Sequence, residues 1–193
     1  MSMVGELTYF LGLQVKQLDS RIYINQAKYA RNLVKRFGLE KAAHARTSMT
    51  ANVKLTSDPS GEFVDVTLYR SMIGCLLYLT ASRPNIAFSV GVCFRFQSNP
   101  KVSHLNAVKR IIKCVSGICD YGLFYSKESN LFLAGFSDSD WANNADDRKS
   151  TIGECFYVGA NLIAWMSKKK NSISLSTAEA EYIATGSCCS QLL

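Results

Sequence analysis

The sequence LFLAGFSDSD, from Leu131 to Asp140, is an apolar run that ends in two aspartates, Asp138 and Asp140. Further along, STAEAEY (Ser176–Tyr182) opens a predicted helix and carries Glu181 near its start. An aspartate at the end of a strand and a glutamate on a following helix can converge on hard divalent cations such as Mg²⁺. Two such ions about 3.5–4 Å apart can clamp the attacking and leaving oxygens of a phosphodiester. Carboxylates are common, however, and a solvated surface pair accounts for the same spacing.

Predicted strands surround these two stretches. Alternating apolar residues indicate strands at Tyr121–Ser126, Leu131–Asp138, Thr151–Val158 and Leu162–Ser167. Lys168–Lys170 is interpreted as a basic turn, and a helix is expected from Thr177 to the end of the sequence. The adjacent pair Asp146-Asp147 lies in a polar turn without apolar strand flanks. We therefore expect the last three of these strands and the helix to form a β-β-β-α unit.

The earlier part of the chain predicts a hairpin followed mainly by helices. Leu7–Lys16 and Arg21–Asn25 alternate as paired strands. Gln26–Phe37 has helical periodicity, and Gly38 is placed to end that helix. Ala42–Val66 is polar and broken by proline and glycine, so it is predicted as a loop. Thr67–Thr80 is expected to be a helix or a buried run. Further helices are expected at Asn85–Phe96, with Pro84 in the first turn, and at Leu105–Val115, with Ser103 as its cap.

Composition and charge restrict the class of protein. The 193 residues are 48% hydrophobic and 19% charged, which is typical of a globular protein. The net charge is +7, and it is concentrated in residues 1–126, where 16 Lys and Arg stand against 7 Asp and Glu. This asymmetry suits a partner that is a polyanion, although solvated helix faces explain it as well. No apolar run approaches the ~20 residues of a membrane span, so we expect no membrane partner.

The spacing and surroundings of the cysteines indicate the cellular compartment of the protein. The seven cysteines include no CxxC pair, and most lie within apolar runs, as small buried hydrophobes do in a reducing environment. The N-terminal residues lack the basic start and long apolar core of a signal peptide. We expect an intracellular protein, in the cytoplasm or the nucleus.

Several blocks resemble one known family. FSDSDWANNADDRKSTIG, LIAWMSKKK and SLSTAEAEYIA, in that order, resemble the ribonuclease H segment of copia-type LTR retroelement polyproteins. ELTYFLGLQV, YRSMIGCLLYLTASRPNIAFSV and NPKVSHLNAVKRIIKCVSG are similar to the stretch that follows the reverse transcriptase palm in the same polyproteins. The resemblance runs from about Gly5 to the C-terminus. It implies an α/β (α+β) chain, with a reverse transcriptase C-terminal, thumb- or connection-like part at 1–120 and the start of a ribonuclease H-like domain at 121–193.

The resemblance also implies a catalytic role for two carboxylates. Asp138 corresponds to the first-strand aspartate of the ribonuclease H motif and Glu181 to the first-helix glutamate, because the AEY triplet selects Glu181 over Glu179. Asp140 belongs to the same motif and is a further candidate ligand. The implied cofactor is Mg²⁺, held by Asp138, Glu181 and Asp140. The resemblance places further aspartates of this site, and the paired aspartates of the polymerase, outside these 193 residues, so both active sites are expected to be incomplete.

A nucleic-acid partner is implied as well. In the family a basic helix after the palm grips the template–primer, and the matching positions here are Lys28, Arg31, Lys35 and Arg36. Positive charge on the predicted helix that follows Ser103 (Lys109, Arg110) and in the lysine run (Lys168, Lys169) points to the same partner, an RNA–DNA hybrid or duplex. Contacts of this kind need only charge at helical spacing. The rest of a retroelement polyprotein is a second expected partner.

Three functions follow from these residues. The first is a fragment of a copia-type polyprotein that has neither enzyme activity alone. The second is a nucleic-acid-binding module, whose affinity should fall steeply with salt. The third is a residual Mg²⁺-dependent nuclease that uses Asp138, Glu181 and Asp140, and it ranks last because loss of a metal ligand usually removes the metal.

Overall fold

The computed structural model describes residues 6–50 and 54–193. Within these residues the chain forms two antiparallel sheets and five α-helices, which confirms the expected mixed α/β class. The strands are β1 (Tyr9–Phe10), β2 (Leu13–Gln17), β3 (Arg21–Asn25), β4 (Gly122–Ser126), β5 (Leu133–Asp140), β6 (Thr151–Val158) and β7 (Asn161–Lys169). The helices are α1 (Ala27–Arg36), α2 (Val66–Leu79), α3 (Pro84–Phe94), α4 (Val102–Gly117) and α5 (Thr177–Leu192).

The first sheet has the strand order β1-β2-β3-β4. The predicted hairpin pairs as expected, with Val15 opposite Ile24. The single strand predicted at Leu7–Lys16 is wrong, because Leu11 and Gly12 both have positive φ and separate β1 from β2. A side chain at Gly12 would collide with the hydroxyl of Tyr78, so glycine is required at this turn for space as well as for conformation.

β4 joins the first sheet by pairing with β3, with Phe124 opposite Tyr23. The sequence grouped this strand with the later ones, and nothing local in the sequence names a strand's partner. The predicted boundary at residue 120 therefore lies just before a strand that hydrogen-bonds to the earlier part of the chain. The division into two domains remains a prediction.

The main core lies among helices α1 to α4. Its buried side chains come from one face of each helix, and they include Leu33, Tyr69, Met72, Leu76, Ile86, Val90, Ile111 and Ile112. Each of these helices therefore presents an apolar face to the others, and burial of these faces is the main favourable term in folding. No helix among the described residues is long and apolar enough to cross a membrane.

Particular residues and hydrogen bonds determine where the helices begin and end. α1 ends with Gly38 at φ +65°, where Gly38 N–H donates to Lys35 O and Leu39 N–H to Val34 O, the bonds of a Schellman motif. Pro84 is the first residue of α3, as predicted. The predicted cap of α4 is wrong. The helix begins at Val102, where the ring nitrogen Nδ1 of the buried His104 accepts the Lys101 N–H at 2.9 Å, and Ser103 instead donates to Asp58.

The second sheet has the order β5-β6-β7 and is covered on one face by α5. The helix approaches closely because Gly135 lies under Cys188 and Leu192, where a Cβ atom would overlap both side chains. The buried side chains of α5 are small: Ala180, Ala184 and Cys188. Beneath it, the buried carboxylate of Glu154 has no hydrogen-bond partner at either oxygen among the described residues. The helix is therefore attached to the sheet by a small apolar area above an unsatisfied acid.

Polar contacts connect the second sheet to the helices. The indole N–H of Trp165 on β7 donates to Thr80 O at 3.2 Å, and Arg95 donates to the hydroxyl of Thr151 at 2.9 Å. The turn after β5 also takes part, because Asp146 accepts the Ser57 N–H at 2.8 Å. Ser57, which lies in the loop predicted at Ala42–Val66, thus connects that loop to the turn that follows β5.

Arg83 is the most deeply buried of the charged side chains described, with 1% of its surface exposed. Its guanidinium donates to Ile118 O at 2.7 Å and to Cys119 O at 2.6 Å, at the C-terminal end of α4. Both carbonyls lie just past the last residue of α4, and Ile118 O also accepts the Tyr121 N–H at 3.0 Å. A cation at this end of the helix interacts favourably with the helix dipole. Burial lowers the pKa of Arg83, and the nearby Tyr23, Cys119 and Asp120 counteract that shift.

We predict that Arg83→Met lowers the free energy of unfolding by about 2–3 kcal/mol, because the part-buried carbonyls of Ile118 and Cys119 lose a charged donor. Urea denaturation followed by circular dichroism measures this change. Arg70→Met is the matched control, because exposed Arg70 makes one bond, to Gln97 O. Equal losses in the two variants would contradict a special role for Arg83.

Candidate functional site

Asp138 and Glu181 meet at one backbone N–H. Ser139 N–H donates to Asp138 Oδ1 at 2.9 Å and to Glu181 Oε1 at 3.2 Å. β5 supplies Asp138 near its C-terminal end and α5 supplies Glu181 from its second turn, so the two carboxylates converge although 42 residues separate Ser139 from Glu181. Both side chains are exposed to solvent. The structure thus places the two sequence-predicted catalytic residues side by side.

Asp140 is held in a different way. Its Oδ1 accepts the N–H of Thr151, its partner across the β5–β6 ladder, and its Oδ2 accepts from the Asn143 side chain at 3.1 Å. These bonds fix the start of the turn that connects β5 to β6. Asp140 shares with Asp138 a cavity of about 570 Å³ between the second sheet and α3. Because both oxygens of Asp140 are engaged within the turn, this carboxylate acts as a structural cap.

Glu179 is a capping residue of α5. Ser176 Oγ accepts the Glu179 N–H at 3.1 Å, and Glu179 Oε2 accepts the Leu175 N–H at 2.6 Å. These reciprocal bonds satisfy donors at the helix start, as a capping box does. The two glutamates of the STAEAEY stretch therefore have separate contacts: Glu179 holds the helix start and Glu181 faces Asp138.

Lys170 is a site residue that the sequence did not single out. It is 7% exposed, and its ammonium donates to the backbone oxygen of Ala180, next to Glu181. Burial lowers the pKa of Lys170, whereas the charges of Glu181, Asp140 and Glu179 raise it. A buried cation therefore lies among the acidic residues. Sequence reasoning could not separate Lys170 from its two neighbours in the lysine run, because the three residues are chemically identical and their burial depends on the fold.

The residues described do not fit a two-ion Mg²⁺ site by themselves. Within 6–50 and 54–193, no group of three or more His, Cys, Asp or Glu side chains is placed to hold a metal. Two carboxylates converge, the third candidate is bound within a turn, and an ammonium already offsets part of their charge. Two carboxylates and water can hold one Mg²⁺, but a second ion a few ångströms away needs further carboxylates to hold it and balance its charge.

The predicted basic face of α1 is present, although two of its four members have partners. Lys28, Arg31, Lys35 and Arg36 are all exposed. Arg31 forms an ion pair with Asp120, and Arg36 donates to the hydroxyl of Ser71 at 3.0 Å. Among the residues described, neither Lys28 nor Lys35 has an ion-pair partner. These two lysines are the ones free to meet an external anion.

The other predicted basic residues are less accessible. Lys109 and Arg110 on α4 are only half-exposed, because the loop around Ala43–Ser48 lies beside them and Thr47 accepts a bond from Arg110 at 3.0 Å. Lys109 and Arg110 are therefore less accessible to an external anion than the lysines of α1. Lys168 and Lys169 end strand β7 and do not form a turn. Lys168 is exposed, whereas Lys169 pairs with Asp147 at 2.7 Å.

Comparison with known proteins finds relatives that match nearly the whole of this chain. The chain is 34% identical over 187 residues to the retrovirus-related Pol polyprotein from transposon RE2 of Arabidopsis thaliana, a match covering 97% of this chain and 13% of that polyprotein. It is 33% identical to the Pol polyprotein from transposon TNT 1-94 of Nicotiana tabacum, covering 94% of this chain and 14% of the relative. It is 34% identical to the uncharacterized mitochondrial protein AtMg00810 of Arabidopsis thaliana, of which it covers 75%.

This chain therefore spans about 13–14% of the length of the Pol polyproteins it matches. No family model matches it. No solved structure matches it either.

We predict that Asp140→Ala lowers the free energy of unfolding by about 1–2 kcal/mol, because the Thr151 N–H loses a charged acceptor. Asp138→Ala is the matched control, since its loss leaves the Ser139 N–H bonded to Glu181. The two denaturation midpoints in urea provide the comparison. A larger loss at Asp138 than at Asp140 would be inconsistent with the structural role assigned to Asp140.

Proposed function

Since this chain belongs to the Pol polyproteins of copia-type retrotransposons, we propose that it carries the first two carboxylates of a ribonuclease H-type centre and does not cleave nucleic acid by itself. The observation that carries this proposal is the shared bond of the Ser139 N–H to Asp138 and Glu181. The arrangement brings together the strand-end aspartate and the helical glutamate that such a centre requires. A complete two-ion centre needs more carboxylates than these two.

Charge explains why two carboxylates are insufficient. A phosphodiester is anionic, so a nuclease of this type neutralises the cleaved group with two metal ions, which several carboxylates hold. In this chain the charge of Glu181 is partly offset by the nearby ammonium of Lys170. Asp140 contributes both oxygens to the adjacent turn. The local acidic charge therefore falls short of what two divalent ions need.

Incubation with an RNA–DNA hybrid labelled on the RNA strand, in Mg²⁺ and separately in Mn²⁺, tests this proposal. We expect no cleavage by the chain and none by Asp138→Asn, while an added ribonuclease H cuts the same hybrid. A melting curve on each sample establishes that the protein is folded. Cleavage by the unmodified chain that disappears in Asp138→Asn would overturn the proposal, because it would show that the two carboxylates suffice.

A second function is supported by a separate observation, the free lysines of α1. Lys28 and Lys35 are exposed at a spacing of seven residues, which places them on one side of the helix. We propose that they contact the phosphates of a duplex or hybrid, in the manner of a basic helix that positions nucleic acid without reading its sequence. This binding function does not require a complete nuclease centre. It is compatible with a segment that acts beside the rest of a polyprotein.

We predict that affinity for an RNA–DNA hybrid falls steeply with salt, because each phosphate contact releases counterions. Replacing both Lys28 and Lys35 with Ala should reduce the slope of log K against log[salt] by about 2. Fluorescence anisotropy over a series of salt concentrations measures the slope. Lys41→Ala with Lys149→Ala removes the same charge elsewhere and should leave the slope nearly unchanged. Binding that does not respond to salt would refute the proposed contacts.

A further inference from the structure

An aromatic pair lies on the outer surface of the first sheet. Lys16 on β2 is directly opposite Tyr23 on β3, and Tyr23 is directly opposite Phe124 on β4. Residues that are opposite one another in antiparallel strands project from the same face, so the three side chains form a row across the sheet. The rings of Tyr23 and Phe124 are stacked, with centroids 4.4 Å apart and planes at 26°. Phe124 keeps 57% of its surface exposed.

The inner ring of the pair is held rigidly. The Tyr23 hydroxyl donates to the backbone oxygen of Asp120. Gly122 lies opposite Asn25 on the adjacent strand, and a Cβ atom there would come within 2.9 Å of Tyr23 Cε2 and closer still to Ile24 O and Asn25 Cβ. Glycine at this position therefore lets the ring lie close to the strand, and Phe124 stacks on a fixed partner. A ring that is already fixed loses little freedom when a further planar group stacks beside it.

Positive charge surrounds the rings. Arg21 begins β3 two residues before Tyr23 and is therefore on the same face, and both Lys16 and Arg21 are exposed. α1 adjoins this face, because the Lys28 N–H donates to the side chain of Gln14 on β2 at 2.8 Å. The carboxylate of Asp120, close to Tyr23, is paired with Arg31 of α1. The exposed aromatic surface is thus continuous with the basic side of α1.

We propose that Tyr23 and Phe124 form a stacking platform for an unpaired base of a nucleic acid strand, with Lys16 and Arg21 at the phosphates on either side. The inference rests on the nucleic-acid binding proposed for α1 and names the part of the ligand that the sheet receives. Bases within a duplex are already stacked on one another, so an exposed ring can add affinity only where a base is unpaired. Aromatic residues beside a basic groove bind single strands in this way in many proteins, without sequence preference.

The experiment compares a blunt RNA–DNA hybrid with the same hybrid carrying a short single-stranded extension. We expect the chain to bind the extended form about tenfold more tightly, which is within the range of one base–aromatic stack. Phe124→Leu retains an apolar side chain without an aromatic face. It should remove the preference while leaving the affinity for the blunt hybrid and its salt slope unchanged. Phe124→Trp should keep the preference, because it retains a stacking surface.

Phe132→Leu is the matched control, since Phe132 is 79% exposed just before β5, away from this face. It should behave as the unmodified chain does. Equal affinity of the unmodified chain for the two hybrids would overturn the platform while the salt-dependent binding by α1 stands. Equal weakening of both hybrids by Phe124→Leu would also overturn it, because the ring would then act through the fold. Failure to bind either hybrid at low salt would overturn both proposals.

Discussion

The buried guanidinium of Arg83 joins parts of the chain that are distant in sequence. Its bonds to Ile118 O and Cys119 O close the C-terminal end of α4 from a residue that lies just before α3. Immediately afterwards, Asp120 accepts the Tyr23 hydroxyl at its backbone oxygen and pairs with Arg31 through its carboxylate. The start of β4, the inner strand β3 and helix α1 are therefore positioned from one short segment. The aromatic row and the basic helix face lie next to each other because this segment connects them.

The two proposed functional regions differ in how their charges are balanced. On α1 and the first sheet, cations are left at the surface with few acidic neighbours, which favours association with a polyanion. Beside the second sheet, Lys170 is buried close to Glu181 and offsets acidic charge within the protein. An internal counter-ion of this kind reduces the repulsion between converging carboxylates, and in the same measure it reduces their attraction for a divalent ion. This distribution of charge supports the proposal that the chain holds nucleic acid and does not cut it.

Local features were the most predictable from the sequence. Gly38 ends α1, Pro84 begins α3, and the three later strands and their helix lie where periodicity placed them. Long-range partners were not predictable, because the pairing of β4 with β3 depends on residues about a hundred positions apart. The convergence of Asp138 with Glu181 was anticipated from the family motif. The hydrogen bonds that hold Asp140 in the turn after β5 depend on local geometry, which residue types alone do not reveal.

Asp138 and Glu181 are close together only while α5 is packed against the second sheet. The helix is attached to the sheet mainly through Ala180, Ala184 and Cys188, and the unsatisfied acid of Glu154 lies under it. Little additional apolar surface is exposed to water when such a helix detaches. Its local detachment therefore costs less free energy than global unfolding. Because Glu181 belongs to this helix, each opening separates it from Asp138. A partner that binds only when Glu181 lies beside Asp138 would stabilise α5 in its packed position. Binding at this site would then be coupled to the folding of α5.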